Sequence, residues 1–187
     1  MKKKTFLALL LTFSMIFAMT GCGGGGSSEK SEPAEASTQS TQTAGSGISF
    51  KTTDLAGNAV DSKDLFAKNK VTMINIWGTY CGPCIEEMPE LEQMSKEYAD
   101  KGAGIVGLVV DVTESDDSKL ADANGIVKDT GVTYQNLKAW DGFGDQLSAP
   151  GTPTTYFVDS NGNLIGDPVV GANIMKYRQT LDELLAN

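Results

Sequence analysis

Two cysteines separated by two residues are the side chains of this sequence best suited to chemistry. Cys81-Gly82-Pro83-Cys84 directly follows an apolar run and directly precedes a helical pattern. At a helix start, unpaired backbone N–H groups and the positive end of the helix dipole favour a thiolate and lower the thiol pKa. Cys84 lies one turn further along, close enough for an internal disulfide. The pattern therefore indicates thiol–disulfide exchange, with Cys81 as the attacking thiol and Cys84 as the resolving thiol.

Two other roles are open to the pair: half of a zinc site, or a purely structural disulfide. Zinc takes about four ligands, but the sequence has three cysteines, of which Cys22 is far from the pair, and no histidine. A disulfide that closes so short a loop gains little from loop entropy. We therefore favour exchange over both roles and expect neither a metal nor a cofactor. The lack of histidine also excludes Ser–His and Cys–His catalysis.

The flanking segments predict the elements that position the pair. Val71–Trp77 is short, apolar and β-branched, which is typical of a buried strand. Gly82–Lys101 has apolar residues at helical spacing, with Pro89 expected to kink the helix, and Gly104–Val110 predicts a second buried strand. Before β-branched Val71, other patterns predict a hairpin over Phe50–Val60 and a short helix over Ser62–Lys70 capped by Asp61 or Ser62. After the second strand, they predict a helix over Lys119–Asp129 and a short strand over Tyr134–Leu137. The chain is then predicted to form strands over Thr154–Val158 and Asn163–Val170 joined by a turn, and a C-terminal helix from about Ile174 to Leu185.

This order of elements predicts an α/β fold: a central mixed β-sheet flanked by helices, with an N-terminal β-hairpin extension. The folded part is expected to be one domain over residues 48–187, which is long enough to bury a core. Four methionines are expected to belong to that core, namely Met73, Met88, Met94 and Met175.

The residues around the cysteines resemble those of the thioredoxin superfamily, and within it the membrane-tethered TlpA/ResA-like thiol-disulfide oxidoreductases. The matching motifs are Trp77–Cys84, Glu87–Pro89, Gly151–Thr155, and Asp159 with Gly162 in the turn that follows. A tryptophan four residues before a CxPC motif, with a later TPT, is specific, whereas a CxxC motif alone is not. The resemblance extends over residues 48–187 and implies a thioredoxin-like fold of the redoxin/TlpA type.

The resemblance also implies a substrate-binding surface beside the cysteines. In the family, the proline equivalent to Pro153 is cis and faces the CxxC motif, which would let the backbone of Thr152 pair with an extended substrate segment. A proline that only begins a strand is the alternative. We expect Trp77 to pack beneath the active-site loop and Tyr80 to shape its exposed rim. The predicted substrate-binding residues are Pro153, Thr152, Trp77, Tyr80, Gly82 and Pro83.

Glu87 is the third candidate catalytic residue, because it lies one helical turn after Cys84. In the TlpA/ResA-like branch, a glutamate at this position lies near the active site and helps to manage protons, which thiol exchange must take up and return. Thioredoxins place a buried aspartate six residues before the first cysteine. Here that position is Asn75, which cannot titrate, so the carboxylate role falls to Glu87. The alternative is a solvated glutamate on the helix surface, like Glu86.

The N-terminus resembles a bacterial lipoprotein signal. A basic segment, Lys2–Lys4, precedes the uncharged stretch Phe6–Met19, which is shorter than the roughly 20 residues of a spanning helix and fits a signal peptide. Met19-Thr20-Gly21-Cys22 resembles a lipobox, so we expect residues 1–21 to be removed and Cys22 to carry lipid. The alternative is an ordinary secretory signal followed by an unrelated cysteine.

Residues 22–47 are rich in Gly, Ser, Thr, Gln, Ala and Glu and contain no aromatic residue. Such a composition cannot bury enough apolar surface to offset the entropy of ordering, so we expect a flexible linker with a reach of about 25–30 Å. The net charge of −9 argues against a nucleic-acid partner and against binding to anionic lipid. Membrane attachment is therefore expected to depend on the lipid anchor.

Together, these features predict a lipid-anchored oxidoreductase at the extracytoplasmic face of the cell membrane. We expect a monomer that reduces disulfides of exported proteins, and the family's substrates include oxidised apocytochrome c and methionine sulfoxide reductases. A membrane thiol-disulfide donor would re-reduce it. The CGPC sequence resembles reducing thioredoxins more than strong oxidants. The alternatives are an oxidase or isomerase of secreted proteins, a thiol peroxidase, and a non-enzymatic binding lipoprotein.

Overall fold

The computed structural model of this chain describes residues 47–186. The predicted signal peptide, Cys22 and nearly all of the predicted linker lie outside the described residues. Within residues 47–186, no helix combines the length and the apolar character that a membrane span requires.

Twelve helices and strands follow one another along the described chain. They are β1 (Lys51–Thr53), β2 (Ala59–Asp61), α1 (Ser62–Phe66), β3 (Val71–Trp77), α2 (Gly82–Ala99), β4 (Ala103–Thr113), α3 (Leu120–Thr130), β5 (Asn136–Ala139), α4 (Phe143–Gln146), β6 (Thr154–Asp159), β7 (Val169–Val170) and α5 (Ile174–Leu185). Strands β5-β4-β3-β6-β7 form one sheet in that order, and β1-β2 form a separate two-stranded sheet. The β3–β4 and β4–β5 pairs are parallel, whereas the β3–β6 and β6–β7 pairs are antiparallel. This is the predicted α/β architecture with a mixed sheet and an N-terminal hairpin.

Strand β3 is the centre of the fold, and all seven of its residues are buried. Because successive side chains of a strand point to opposite faces, Met73 and Trp77 join one hydrophobic cluster while Ile74 and Ile76 join another. The first cluster includes side chains of α2 and α5, and the second includes those of the N-terminal hairpin and α1. Asn75 lies between Met73 and Trp77 in this alternation, so its side chain faces the same side of the sheet as theirs, the side covered by α2.

The helix caps follow from local sequence. Asp61 is the N-cap of α1, and its carboxylate accepts a hydrogen bond from the Lys63 N–H at 3.0 Å. Of the two predicted caps, Asp61 and Ser62, the first is therefore the one observed. Helix α2 continues through Pro89, which is exposed to solvent.

One prediction about the C-terminal part was wrong, and one helix was missed. The strand predicted over Asn163–Val170 is reduced to β7 and an isolated bridge between Leu164 and Val158. Gly166, with a φ of 68°, turns the chain out of the extended conformation, and Pro168 has no N–H for the ladder. Helix α4 was not predicted at all.

Met175 does not belong to the core, since 82% of it is exposed. It lies two residues before Tyr177, which is fully buried on α5. Two residues correspond to about 200° around a helix, so the side chain of Met175 points to the solvent. The other three methionines, Met73, Met88 and Met94, are fully buried as predicted.

Candidate active site

The two cysteines form a disulfide at the start of α2, with their Cα atoms 5.3 Å apart. Cys81 is the N-cap of the helix, and its Sγ accepts a hydrogen bond from the Cys84 N–H at 3.3 Å. Cys81 is 5% exposed, whereas Cys84 is fully buried. Both cysteines are therefore buried, but Cys81 keeps a small exposed fraction toward which an external thiolate would be directed, while Cys84 has none. In the reduced state, a thiolate at Cys81 would face the positive end of α2.

The loop before Cys81 is held by a carboxylate from the neighbouring strand. Asp111, near the end of β4, accepts hydrogen bonds from the Thr79 N–H at 3.1 and 3.2 Å and from the Thr79 hydroxyl group. The Cys81 N–H donates to the Gly78 carbonyl at 3.0 Å. These bonds fix the loop while leaving Tyr80 71% exposed beside the disulfide.

Trp77 is fully buried, and its Nε1–H donates to the Asn136 side-chain oxygen at 2.9 Å. Its inclusion in the substrate-binding surface is therefore corrected: the indole packs beneath the loop and does not reach the surface. Gly82 and Pro83 are exposed in the first turn of α2, so together with Tyr80 they form the rim of the disulfide.

The segment Gly151–Pro153 lies at the same end of the sheet as the disulfide. Ile76 of β3 pairs with Thr154 of β6 in antiparallel register, so the preceding residue, Pro153, comes level with the end of β3. The Thr152–Pro153 peptide bond is cis. Pro153 is buried and Thr152 is half-buried. The Pro153 carbonyl accepts a hydrogen bond from the Gly171 N–H at 2.8 Å, which joins this segment to the end of β7.

Glu87 is 5% exposed, so the alternative of a solvated surface glutamate is wrong for this residue, although it describes Glu86. Its Oε1 accepts a hydrogen bond from Asn75 Nδ2 at 2.8 Å, and its Oε2 lies 3.2 Å from the Tyr177 hydroxyl. Burial raises the pKa of Glu87 from 4.5 to about 7, although both hydrogen bonds act to lower it. One turn after Cys84, this carboxyl group can take or return a proton at neutral pH.

Sequence reasoning treated Asn75 only as a residue that cannot titrate, and it missed other polar residues around the cysteines. Asn75 also donates to the Thr155 hydroxyl at 3.1 Å, and Tyr177 reaches Glu87 from α5. Asp111 and Asn136 hold the loop and the tryptophan beneath it. A polar residue within an apolar strand (Asn75) and an acid near the end of a parallel strand (Asp111) were the available signals. Among the described residues, no group of three or more Cys, Asp or Glu could hold a metal ion.

Comparisons with known proteins agree with this geometry. The model of the Redoxin family matches residues 36–183. The thiol-disulfide oxidoreductase ResA of Bacillus thuringiensis subsp. konkukian (strain 97-27) is 30% identical over 138 residues, covering 72% of this chain and 70% of that protein. The thioredoxin-like protein YneN of Bacillus subtilis (strain 168) is 33% identical over 134 residues, covering 71% and 75%. Several ResA proteins are matched over 66% to 70% of their length.

A solved structure shares the fold. The thiol:disulfide interchange protein of the thioredoxin family from Chlorobium tepidum TLS superposes with a TM-score of 0.61 at 25% sequence identity. The superposition covers 74% of this chain and 94% of that one.

Proposed function

Because the chain belongs to the Redoxin family and is a ResA-like thiol-disulfide oxidoreductase of the thioredoxin superfamily, we propose that it reduces disulfides of exported proteins. The observation that carries the proposal is the asymmetry of the cysteine pair. Cys81 caps α2 and keeps an exposed fraction of 5%, whereas Cys84 is fully buried one turn behind it. Glu87, whose pKa burial raises to about 7, follows one turn later on the same helix.

The reaction begins from the dithiol. The Cys81 thiolate attacks one sulfur of a substrate disulfide, forms a mixed disulfide, and releases the other substrate sulfur as a thiolate that takes up a proton. Cys84 then loses its proton and attacks the Cys81 sulfur, which releases the second substrate thiol. The substrate gains two electrons and two protons, and the protein is left with the Cys81–Cys84 disulfide.

The described residues supply three kinds of assistance. The N–H groups and dipole at the start of α2 stabilise the Cys81 thiolate. Glu87 accepts the proton of Cys84 and returns it, since its pKa of about 7 matches neutral pH. The backbone of Thr152 and the rim at Tyr80 would bind an extended substrate segment around the disulfide.

The sequence of the motif supports the proposed direction of electron flow. A CGPC motif is typical of reducing thioredoxins, whose reduction potential is about −270 mV. It resembles the motif of these reductants more than that of strong oxidants. The compartment outside the cell membrane is oxidising, so a reductase there depends on a membrane thiol-disulfide donor. Suitable substrates are exported proteins with a cystine to be opened, such as apocytochrome c or methionine sulfoxide reductase. Equilibration with glutathione tests the direction, and a potential above about −200 mV would contradict it.

The proposed location is the extracytoplasmic face of the membrane. The signal-like segment at residues 1–21, the lipobox-like Cys22 and the polar composition of residues 22–47 support it. The negative net charge of −9 favours attachment by lipid over attachment by charge.

Trapping the mixed disulfide is the decisive experiment. A Cys84→Ala variant should retain substrate proteins on Cys81, because the resolving thiol is absent, and mass spectrometry of the adducts would identify them. The matched control is Cys81→Ala, which keeps a cysteine in the motif but leaves it buried. Equal recovery of adducts from both variants, or none from Cys84→Ala, would sink the proposal.

A further inference from the structure

We propose that Tyr177 is a positioning residue that transmits the protonation state of Glu87 to the segment carrying Pro153, through the peptide groups of Gly171. This inference rests on the proposed role of Glu87 in exchange and extends it to the substrate-binding segment. Tyr177 is fully buried on α5, and it was not among the residues that the sequence analysis singled out.

The Tyr177 hydroxyl lies between two acceptors, and its oxygen also accepts a hydrogen bond from the Thr155 hydroxyl. It is 3.2 Å from Glu87 Oε2 and 2.9 Å from the Gly171 carbonyl oxygen. A tyrosine hydroxyl carries one hydrogen. It therefore donates to one of these two oxygens at a time, and the proton on Glu87 decides which.

When Glu87 is neutral, Oε2 is the favoured site for its proton, because Oε1 accepts a hydrogen bond from Asn75 Nδ2 at 2.8 Å and Oε2 faces the Tyr177 oxygen. Glu87 then donates to the Tyr177 oxygen, and Tyr177 donates to the Gly171 carbonyl. When Glu87 is ionised, Oε2 becomes an acceptor with a full charge, and hydrogen bonds to charged groups are about twice as strong as neutral ones. Tyr177 then turns its hydrogen to Glu87, and the Gly171 carbonyl loses that donor.

Gly171 connects this change to the substrate-binding segment. Its N–H donates to the Pro153 carbonyl at 2.8 Å, so the two peptide groups of one glycine join Tyr177 on one side and Pro153 on the other. With a φ of 87°, the residue adopts a conformation that glycine tolerates best. Loss of the proton from Glu87 would thus alter the hydrogen bonds around the backbone that receives substrate.

Few other groups can account for a titration at this site. Glu87 contacts Asn75 from β3 and Tyr177 from α5, and Cys84 precedes it on its own helix. Thr155 from β6 contacts Asn75 and Tyr177. Tyr134, before β5, is coupled to it electrostatically, but burial raises the pKa of that phenol far above neutrality. Burial likewise raises the pKa of Tyr177 to about 12. In the disulfide state, Glu87 is therefore the group of this set that titrates near pH 7.

The test is a pH titration of the oxidised protein by carbon-13 NMR. In the wild type, the Gly171 carbonyl shift should titrate with the same midpoint as the Glu87 side-chain carboxyl. In Tyr177→Phe, the Gly171 response should lose most of its amplitude. The Glu87 midpoint should rise by about half to one pH unit, because the ionised form loses a hydrogen-bond donor.

The matched control is Tyr98→Phe. Tyr98 is also buried between α2 and α5, where its hydroxyl donates to Asp182 Oδ1 at 2.9 Å, but it lies about three turns of α2 away from Glu87. Tyr98→Phe should leave the titrations of the Gly171 carbonyl and of the Glu87 carboxyl unchanged, because it removes a buried hydroxyl that touches neither group. A Gly171 carbonyl that still follows Glu87 in Tyr177→Phe would overturn the proposal.

The wild type and Glu87→Gln can also refute the inference if Tyr177→Phe does not fold. A Gly171 carbonyl that stays flat while Glu87 titrates would do so, and so would a Gly171 response that persists in Glu87→Gln. These measurements use no substrate, so a failure of the reductase function, seen in the trapping experiment, is distinguished from a failure of this relay.

Discussion

At the scale of single residues, Glu87 shows how burial changes the chemistry of a common side chain. Glu86 next to it faces the solvent, whereas Glu87 meets Asn75 and Tyr177 in the interior. Burial removes water from the Glu87 carboxylate, which disfavours its charged form. No positively charged side chain contributes to the pKa shift of Glu87 to offset this desolvation. A proton is therefore retained to near neutral pH, one turn from the resolving thiol.

Replacement of this carboxyl group should change the pH dependence of exchange. In the wild type, the rate at which the dithiol form reduces a disulfide peptide should show an inflection from Glu87, whose pKa burial raises to about 7 in the disulfide form, separate from the inflection of the Cys81 thiol. Glu87→Gln should remove the first of these inflections and lower the rate by roughly 100-fold or more, since general acid–base catalysis contributes about 10²–10⁴. Glu86→Gln is the matched control and should keep the wild-type profile. Survival of both inflections in Glu87→Gln would assign the first to another group.

The same group should make folding stability depend on pH. The pKa of Glu87 is about 7 in the folded protein against an ordinary value of 4.5, so the folded state binds more protons than the unfolded state between these values. The free energy of unfolding should therefore fall as pH rises from 4.5 through 7. Urea unfolding of oxidised wild type and Glu87→Gln at pH 5 and pH 8 measures this. A wild type that loses no more stability than the variant would contradict the shift.

The sequence could reveal the residues whose spacing is local, and only some of the others. Cys81, Cys84 and Glu87 lie within two turns of one helix, so a short motif predicts their proximity. Tyr177 is 90 positions from Glu87, and Asp111 is 32 from Thr79. No short pattern encodes such pairs, because the packing of different elements brings them together.

At the scale of elements, the loop before α2 depends on β4. Asp111→Ala would remove the carboxylate that accepts from the backbone and the side chain of Thr79. The free energy of unfolding should fall by about 1–3 kcal/mol, and Cys81 of the reduced protein should be alkylated at a different rate because its loop is no longer held. Asp117→Ala, at an exposed position after the same strand, should change neither. Unchanged urea midpoints and alkylation rates for Asp111→Ala would refute this role.

Helix α2 is joined to the segment before β5 by a second carboxylate. Glu92 accepts hydrogen bonds from the Thr133 N–H and hydroxyl, both at 2.7 Å, and pairs with Lys96 at 2.8 Å. Burial alone would raise its pKa, but the hydrogen bonds from Lys96 and Thr133 prevail and lower it to about 2.

Glu92→Gln should therefore destabilise the protein by about 1–3 kcal/mol at pH 7. This contribution is present above the ordinary pKa of 4.5 and is lost as pH falls toward 2, so the difference from wild type should shrink in acid. Urea unfolding at pH 7 and pH 3 measures it, and the exposed neighbour Glu90, as Glu90→Gln, serves as the control. A difference that grows in acid would contradict the assignment.

The elements that sequence patterns predict well are those with continuous apolar periodicity. Strand β3 and helix α2 were predicted within two residues of their observed ends. Helix α4 has four residues and buries none of them, so it leaves no periodic pattern. Strand β7 is defined by its pairing with β6, and a sequence does not show where such pairing stops.

At the scale of the whole molecule, attachment and catalysis should be separable. Cys22→Ser should release the protein from the membrane fraction, because the proposed lipid acceptor is lost. The rate of disulfide reduction by the purified variant should stay unchanged, since the site lies within residues 47–186. Ser28→Ala is the matched control and should remain with the membrane. A Cys22→Ser protein that sediments with membranes as the wild type does would exclude lipid on this residue.

The point at which the chain enters the domain has a further consequence. The Ile48 N–H donates to the Gly162 carbonyl at 2.7 Å, just beyond the end of β6, and β6 ends where β3 begins. The disulfide follows the opposite end of β3, so entry point and reactive sulfur are separated by the length of that strand, about 20 Å. If the proposed anchor lies before Gly47, a short linker would hold the disulfide on the side of the domain that faces away from it. The proposed flexible linker would let the domain turn its disulfide toward a membrane donor. Shortening the linker should therefore slow re-reduction of the disulfide more than it slows reduction of soluble substrates.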